Sequence, residues 1–241
     1  MRLHCTVSGD GKESLVFLHT GLQTGQTDFL FQQDYFKGHY KVYAPDLRGH
    51  GKSFVQDVAF STYFSDSVTD LIETMDSLGI EKVHLIGCSL GALIGLKFAK
   101  IHSDRLSSLI ISGITSTRPD NWNVLCEKDA ANQAAMLLDE QIVQYFSQLH
   151  LSDWKKFLKE SIETDWYPFE ETGEIRSIQC PSLLLVGEDK AHEVMGVIEY
   201  PKMNENFHVA VVPFAGHLVH QDQPLLYSKI VESFLNKIAS T

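Results

Sequence analysis

One serine stands in a setting that could make it a nucleophile. In Gly87-Cys88-Ser89-Leu90-Gly91 it follows the apolar, β-rich run Val83-His84-Leu85-Ile86 and opens a segment rich in Gly, Ala and Leu. A chain of this length contains Gly-x-Ser-x-Gly by chance about 8% of the time, because Gly and Ser each supply about 7% of residues. The motif alone is therefore weak. Its placement between a strand and a helix is what a nucleophile elbow requires: the turn is sharp and strained, and small residues at 87 and 91 let the two elements approach.

A serine hydroxyl needs a base within hydrogen-bond reach, usually a histidine oriented by a carboxylate. Of eleven histidines, His217 lies in Phe214-Ala215-Gly216-His217, after the last strand run and before the final helical segment. Loops at the carboxyl edge of a parallel sheet are where catalytic groups gather. His220, one helical turn on, reads as a bystander. The carboxylate is expected after the preceding strand, in Gly187-Glu188-Asp189-Lys190, with Asp189 as the choice. Acyl transfer through these groups also needs two backbone N–H donors for the oxyanion. Leu90, directly after the serine, supplies one. The other is expected in His19-Thr20-Gly21-Leu22, with Gly21 as first choice and Leu22 as reserve.

The elements that must hold these loops are legible as apolar runs. Residues 15–18, 41–44, 83–86, 109–111, 183–186 and 208–212 read as strands, most of them buried on both faces as in a parallel sheet. Between them, residues 65–78, 90–99 and 225–238 carry helical spacing. The alternation predicts an α/β fold: a mostly parallel central sheet flanked by helices. A polar, helical stretch over about 115–174 contains no strand run and is expected to be a lid inserted into a single domain spanning residues 1–241. Its Trp122, Tyr145, Phe146, Trp154 and Trp166 are candidates for lining a substrate pocket.

Composition limits the partners. The formal net charge is −11, from 20 basic and 31 acidic residues, and the basic ones are scattered. Nucleic acid and anionic membrane surfaces are therefore not expected partners. No apolar run approaches the roughly 18 residues that span a bilayer, and the N-terminus lacks a signal-peptide run. Cys5, Cys88, Cys126 and Cys180 lie far apart with no Cys-x-x-Cys pair, which suits free thiols in a reducing, cytoplasmic setting. Gly49-His50-Gly51-Lys52-Ser53 ends like a phosphate-binding loop, but Asp46 stands where that pattern needs its first glycine. No cofactor or metal motif remains.

Taken in order, the His19-Thr20-Gly21 loop, Asp46-Leu47-Arg48-Gly49-His50-Gly51-Lys52-Ser53, the Ser89 elbow and Gly216-His217 resemble the α/β-hydrolase superfamily, in its lid-bearing serine esterase and lactonase-type branch. The resemblance covers about residues 3–237 apart from the insertion. It implies a serine hydrolase, carboxylesterase-like, acting on an acyl substrate, with the 46–53 loop bracing the site from behind the sheet; the compact length of the lid suggests that the substrate is small or medium. An aspartate nucleophile of the epoxide hydrolase kind is excluded by Ser89. Two positions depart from the family pattern. Thr20 replaces the glycine after the loop histidine. Lys190 stands where the family places its acid, which keeps Glu188 and Glu193 open beside Asp189. A ligand-sensing receptor on the same scaffold, a C–C bond hydrolase and an acyltransferase are the competing readings.

Overall fold

A computed structural model describes residues 1–163 and 165–240. Seven strands form one sheet: β1 (Cys5–Ser8), β2 (Ser14–Leu18), β3 (Lys41–Pro45), β4 (Val83–Cys88), β5 (Leu106–Ser112), β6 (Ser182–Gly187) and β7 (Phe207–Val212). Their spatial order is β1-β3-β2-β4-β5-β6-β7, parallel throughout except for β1, which runs antiparallel to β3 at one edge. Every strand expected from an apolar run is present. The edge strand β1 was not expected.

The central strands are apolar at successive positions because both faces are covered. Alternate side chains point to opposite faces. Val16, Leu18, Leu85, Leu109, Ile111, Leu184 and Val186 pack beneath α2 (Phe60–Ser77), α3 (Leu90–Ile101) and α8 (Ala191–Met203). Leu15, Phe17, Ile86, Ile110, Leu183 and Leu185 face α1 (Leu30–Phe36) and α10 (Pro224–Ile238). Pro224 opens α10, where a missing N–H costs nothing and the fixed φ suits the first turn. A short α9 (Val219–Asp222) precedes it.

Between β5 and β6 lie α4 (Trp122–Leu138), α5 (Glu140–Leu149), α6 (Trp154–Glu163) and α7 (Phe169–Thr172), a helical insertion in the order of the sheet. Its helices are not equally anchored. Phe146 of α5 and Trp154, Phe157 and Leu158 of α6 are buried, whereas α4 has no fully buried side chain.

The β4–α3 turn is built on close approach. A Cβ on Gly87 would lie 2.5 Å from the Gly91 carbonyl oxygen, and one on Gly91 would lie 2.2 Å from that of Leu18. Neither backbone can yield, because Leu18 ends β2 inside the sheet. Gly91→Ala is therefore expected to destabilise the fold by more than about 3 kcal/mol, above the usual range for overpacking a core, because the clash is with backbone. Urea melting followed by circular dichroism checks this, with Gly38→Ala, where a Cβ meets nothing within 4 Å, as the silent control.

Candidate active site

Ser89 holds φ 53° and ψ −118°, outside the basins that side-chain-bearing residues ordinarily occupy. Its amide donates to Ser112 O at 2.9 Å, and its carbonyl accepts from Leu93 N at 3.1 Å. These bonds and the two glycines enforce the turn. The hydroxyl makes no hydrogen bond among the described residues; it faces a cavity of about 380 Å³ that it shares with His217 and Glu193.

His217 lies in the loop after β7, and many contacts position that loop. Glu188 accepts from Phe214 N at 2.7 Å, Asp222 from Gly216 N at 2.7 Å, and Ala215 O from Asp189 N at 3.1 Å. Gly113, at φ 66°, passes beside the imidazole: a Cβ there would lie 3.0 Å from His217 Cε1. The imidazole Nδ1 is 2.6 Å from Glu193 Oε1. Glu193 is buried and stands in the first turn of α8, where the helix dipole favours a negative side chain. Nδ1 must carry the proton of this bond while the carboxylate is ionised, which leaves Nε2 as the acceptor.

Asp189, the acid expected from the sequence, is not the carboxylate that meets the imidazole in this structure. Its side chain is exposed and makes no hydrogen bond to His217; the residue contributes only its amide to the loop. The reason is where α8 begins. The helix starts at Ala191, so Glu193 sits one turn in, and its longer side chain reaches back to the imidazole. Glu188, the other alternative, braces the backbone at Phe214 instead.

The loop after β2 lies against the elbow, since the Leu18 and His19 carbonyls are the atoms that crowd Gly91. Thr20 N is consumed by Asp28 Oδ2 at 2.8 Å, and the Thr20 hydroxyl donates to the same oxygen at 2.9 Å. Threonine at this position thus has a partner that glycine would lack. The N–H groups of Gly21 and Leu22 have no acceptor among the described residues. Leu90 opens α3, so its N–H also lacks an acceptor within the helix.

His220 has a structural partner. Its Nε2 meets Asp28 Oδ1 at 2.7 Å, both groups are buried, and the ring stacks on Phe29 at 4.0 Å. Burial pushes the Asp28 carboxyl up, but His220 and the two Thr20 bonds prevail and hold it well below the usual carboxylate range. This pair ties the element following His217 to the loop of Thr20.

Three further histidines form a buried group behind the site. His19 accepts Leu47 N–H at Nε2 (2.8 Å) and donates from Nδ1 to Thr20 O (2.8 Å). Its ring lies 5.1 Å from that of His50, which is 5.5 Å from His150. In the neighbouring loop, Asp46 accepts from Gly25 N and Lys52 N, both at 2.9 Å, and Arg48 pairs with Asp70 at 2.7 Å.

The cavity wall comes partly from the insertion: Trp122, Leu125, Trp166 and Tyr167 line it, with Lys128 and Lys190. Of the aromatic residues considered from sequence, Trp122 and Trp166 reach the cavity. Phe146 and Trp154 are buried in packing, and Tyr145 is exposed. Among the described residues no cluster of three or more His, Cys, Asp or Glu could hold a metal ion, and no helix is long and apolar enough to cross a membrane.

With this geometry in place, residues 13–207 match the family model for the alpha/beta hydrolase fold, and the chain belongs to that family of hydrolases. It is similar to carboxylesterase YbfK of Bacillus subtilis (strain 168), with 27% identity covering 97% of this chain and 84% of that one. It is also similar to 3-oxoadipate enol-lactonase 1 of Acinetobacter baylyi, with 25% identity covering 84% and 81% respectively. Among solved structures, NosK from Streptomyces actuosus superimposes with a TM-score of 0.80 at 26% identity, covering 94% of this chain and 99% of that one.

The buried histidines predict an acid-labile fold. Burial holds His19 below its ordinary value, His50 well below it, and His150 at about 4. The unfolded chain binds protons as pH falls through about 6.5 while the folded chain does not, so stability falls over the window from about 6.5 to about 4. Each such histidine contributes a slope of ~1.4 kcal/mol per pH unit. His50→Asn keeps a donor for Arg48 O, the one hydrogen bond that ring makes among the described residues, and removes its titration. Urea unfolding at pH 7, 6 and 5 is expected to show a slope shallower by about one proton in the variant.

Proposed function

We propose that the protein is a serine hydrolase of carboxylic esters or related small acyl compounds, working through an acyl-enzyme on Ser89. The observation that carries this reading is the 2.6 Å contact of His217 Nδ1 with buried Glu193, beside a strained serine that opens into the same cavity. A carboxylesterase and an enol-lactonase among its relatives support an acyl substrate.

Ser89 Oγ attacks the carbonyl carbon as His217 Nε2 takes its proton. Glu193 stays ionised, holds the Nδ1–H tautomer and stabilises the imidazolium. The amides of Leu90 and of Gly21 or Leu22 receive the oxyanion of the tetrahedral intermediate. Collapse breaks the bond to the leaving alcohol, which takes the proton from His217. Water, deprotonated by the same imidazole, then attacks the acyl-enzyme and releases the acid and Ser89. Trp122, Leu125, Trp166 and Tyr167 offer an apolar wall for the acyl or alcohol part. No cofactor enters this scheme, and the four free thiols suit a cytoplasmic enzyme.

Two experiments test the scheme. Ser89→Ala is expected to abolish labelling by a fluorophosphonate probe and to lower kcat on short p-nitrophenyl esters by up to about 10⁶-fold; wild-type protein that is folded yet neither labelled nor active sinks the proposal. The acid is tested separately. Glu193→Gln is expected to lower kcat by about 10³–10⁴-fold, and Asp189→Asn to leave it within about twofold of wild type. The reverse result returns the acid to Asp189.

A further inference from the structure

Leu22 occupies the left-handed region at φ 60°, where a leucine is strained and must be held by its surroundings. Two groups hold this turn. Gln23 N donates to Thr20 O at 3.2 Å, and the Leu22 carbonyl is met by His150 Nε2 at 3.0 Å. His150 comes from a distant part of the chain, the helical insertion just beyond α5. Its other nitrogen, Nδ1, accepts Gly51 N–H at 2.8 Å. A backbone amide can only donate, so Nδ1 is unprotonated and Nε2 carries the hydrogen given to Leu22 O. The ring itself is fixed by Phe146, stacked at 5.8 Å, and by His50 edge-on. Leu151 N to Gly51 O and Val55 N to Ser152 Oγ, both 2.9 Å, anchor the neighbouring residues to the 46–55 loop.

The β2 loop is thus gripped at two points. Asp28 takes Thr20 N on one side, and His150 takes Leu22 O on the other. The two amides between these grips, Gly21 and Leu22, are the ones without an acceptor among the described residues.

We propose that His150 is a positioning residue for the oxyanion loop, holding the Leu22 carbonyl so that the intervening amides face the acyl oxygen above Ser89. The inference rests on the acyl-transfer reading of Ser89. It gives the insertion a part in catalysis beyond covering the cavity. Burial keeps the imidazole neutral down to about pH 4, so the tautomer that makes both bonds persists over the neutral range.

Two isosteric substitutions separate the two bonds. Glutamine can place an amide N–H where Nε2 stands and keep the Leu22 bond. Asparagine can place its oxygen near Nδ1 and keep the Gly51 bond while abandoning Leu22. His150→Asn is expected to lower kcat by about 10- to 100-fold with KM within about threefold, because the donors act on the developing oxyanion and not on bound ester. Its affinity for a phenylboronic acid, whose adduct on serine imitates the tetrahedral intermediate, is expected to fall by a similar factor. His150→Gln is expected to retain kcat and boronate affinity within about threefold while melting at a lower temperature.

All assays are run below the melting temperature of the least stable variant, with fluorophosphonate labelling of Ser89 confirming a folded site. Wild-type kcat and boronate affinity in His150→Asn, or activity retained by asparagine and lost with glutamine, overturns the proposal. Equal losses in both variants also overturn it, since they assign His150 a structural role only. Absence of turnover and labelling in the wild type is a different failure, that of the acyl-transfer reading itself.

Discussion

The site hangs on a backbone conformation that is unfavourable by itself. A serine at φ 53° and ψ −118° costs about 1–3 kcal/mol and persists only where its surroundings overdetermine it. Here the sheet does so. Ser89 N is bound to Ser112 O as an extension of the β4–β5 ladder, and α3 takes up the chain immediately, accepting Leu93 N at Ser89 O. Gly87 and Gly91 let the helix come close enough for this, against the end of β2. One consequence is that strain and function share a cause. The tight turn that lifts the hydroxyl toward the cavity also leaves Leu90 N at the head of a helix with its hydrogen uncommitted.

The surrounding loops are packed through Leu22, Phe29, Ala215 and Val219 and are also held by charge and hydrogen bonding. The carboxylates of Glu188 and Asp222 fix the turn that carries His217, Glu193 meets its imidazole, and Asp28 spans from the Thr20 loop to His220. Backbone amides and imidazoles donate to these carboxylates, joined at Asp28 by the Thr20 hydroxyl and the Gln221 side-chain amide, so each has a donor. Such bonds to ionised acceptors are short and about twice as strong as neutral ones. They also fix position sharply, which a catalytic loop needs and an apolar contact does not provide.

What could be read from the sequence follows from how locally each feature is specified. The central strands are buried on both faces and so announce themselves as apolar runs. The edge strand Cys5–Ser8 is only half-buried, with Thr6 and Ser8 on its faces, and carries no such mark. Ser89 and His217 sit in short motifs tied to strand ends. Glu193 does not, because its place depends on α8 starting at Ala191 within two residues of the strand-end turn, and Lys190 gives no conventional cap there. The spacing of Val194, Val197 and Tyr200 is a sign of that helix, but it does not mark where the helix begins. His150 left no sign at all. Both its partners are backbone groups 99 and 128 residues away, and a backbone group has no residue type to recognise.

The insertion divides into a part that is anchored and a part that is not. Phe146, Trp154, Phe157 and Leu158 bury α5 and α6 against the main body, on the side where His150 and Ser152 bond to the loops around residues 22, 51 and 55. Helix α4 buries no side chain fully, yet it supplies Trp122 and Leu125 to the cavity wall. Few buried contacts place an element at the low end of local stability, where opening costs least. Helix α4 still rests on α5 and α6, with Met136 and Leu137 packed against the core that holds Phe146 and Phe157, so it is the least buried part of the insertion and not a separate body. The insertion thus turns its least buried helix toward the cavity and its anchored residues toward the loops around residues 22, 51 and 55.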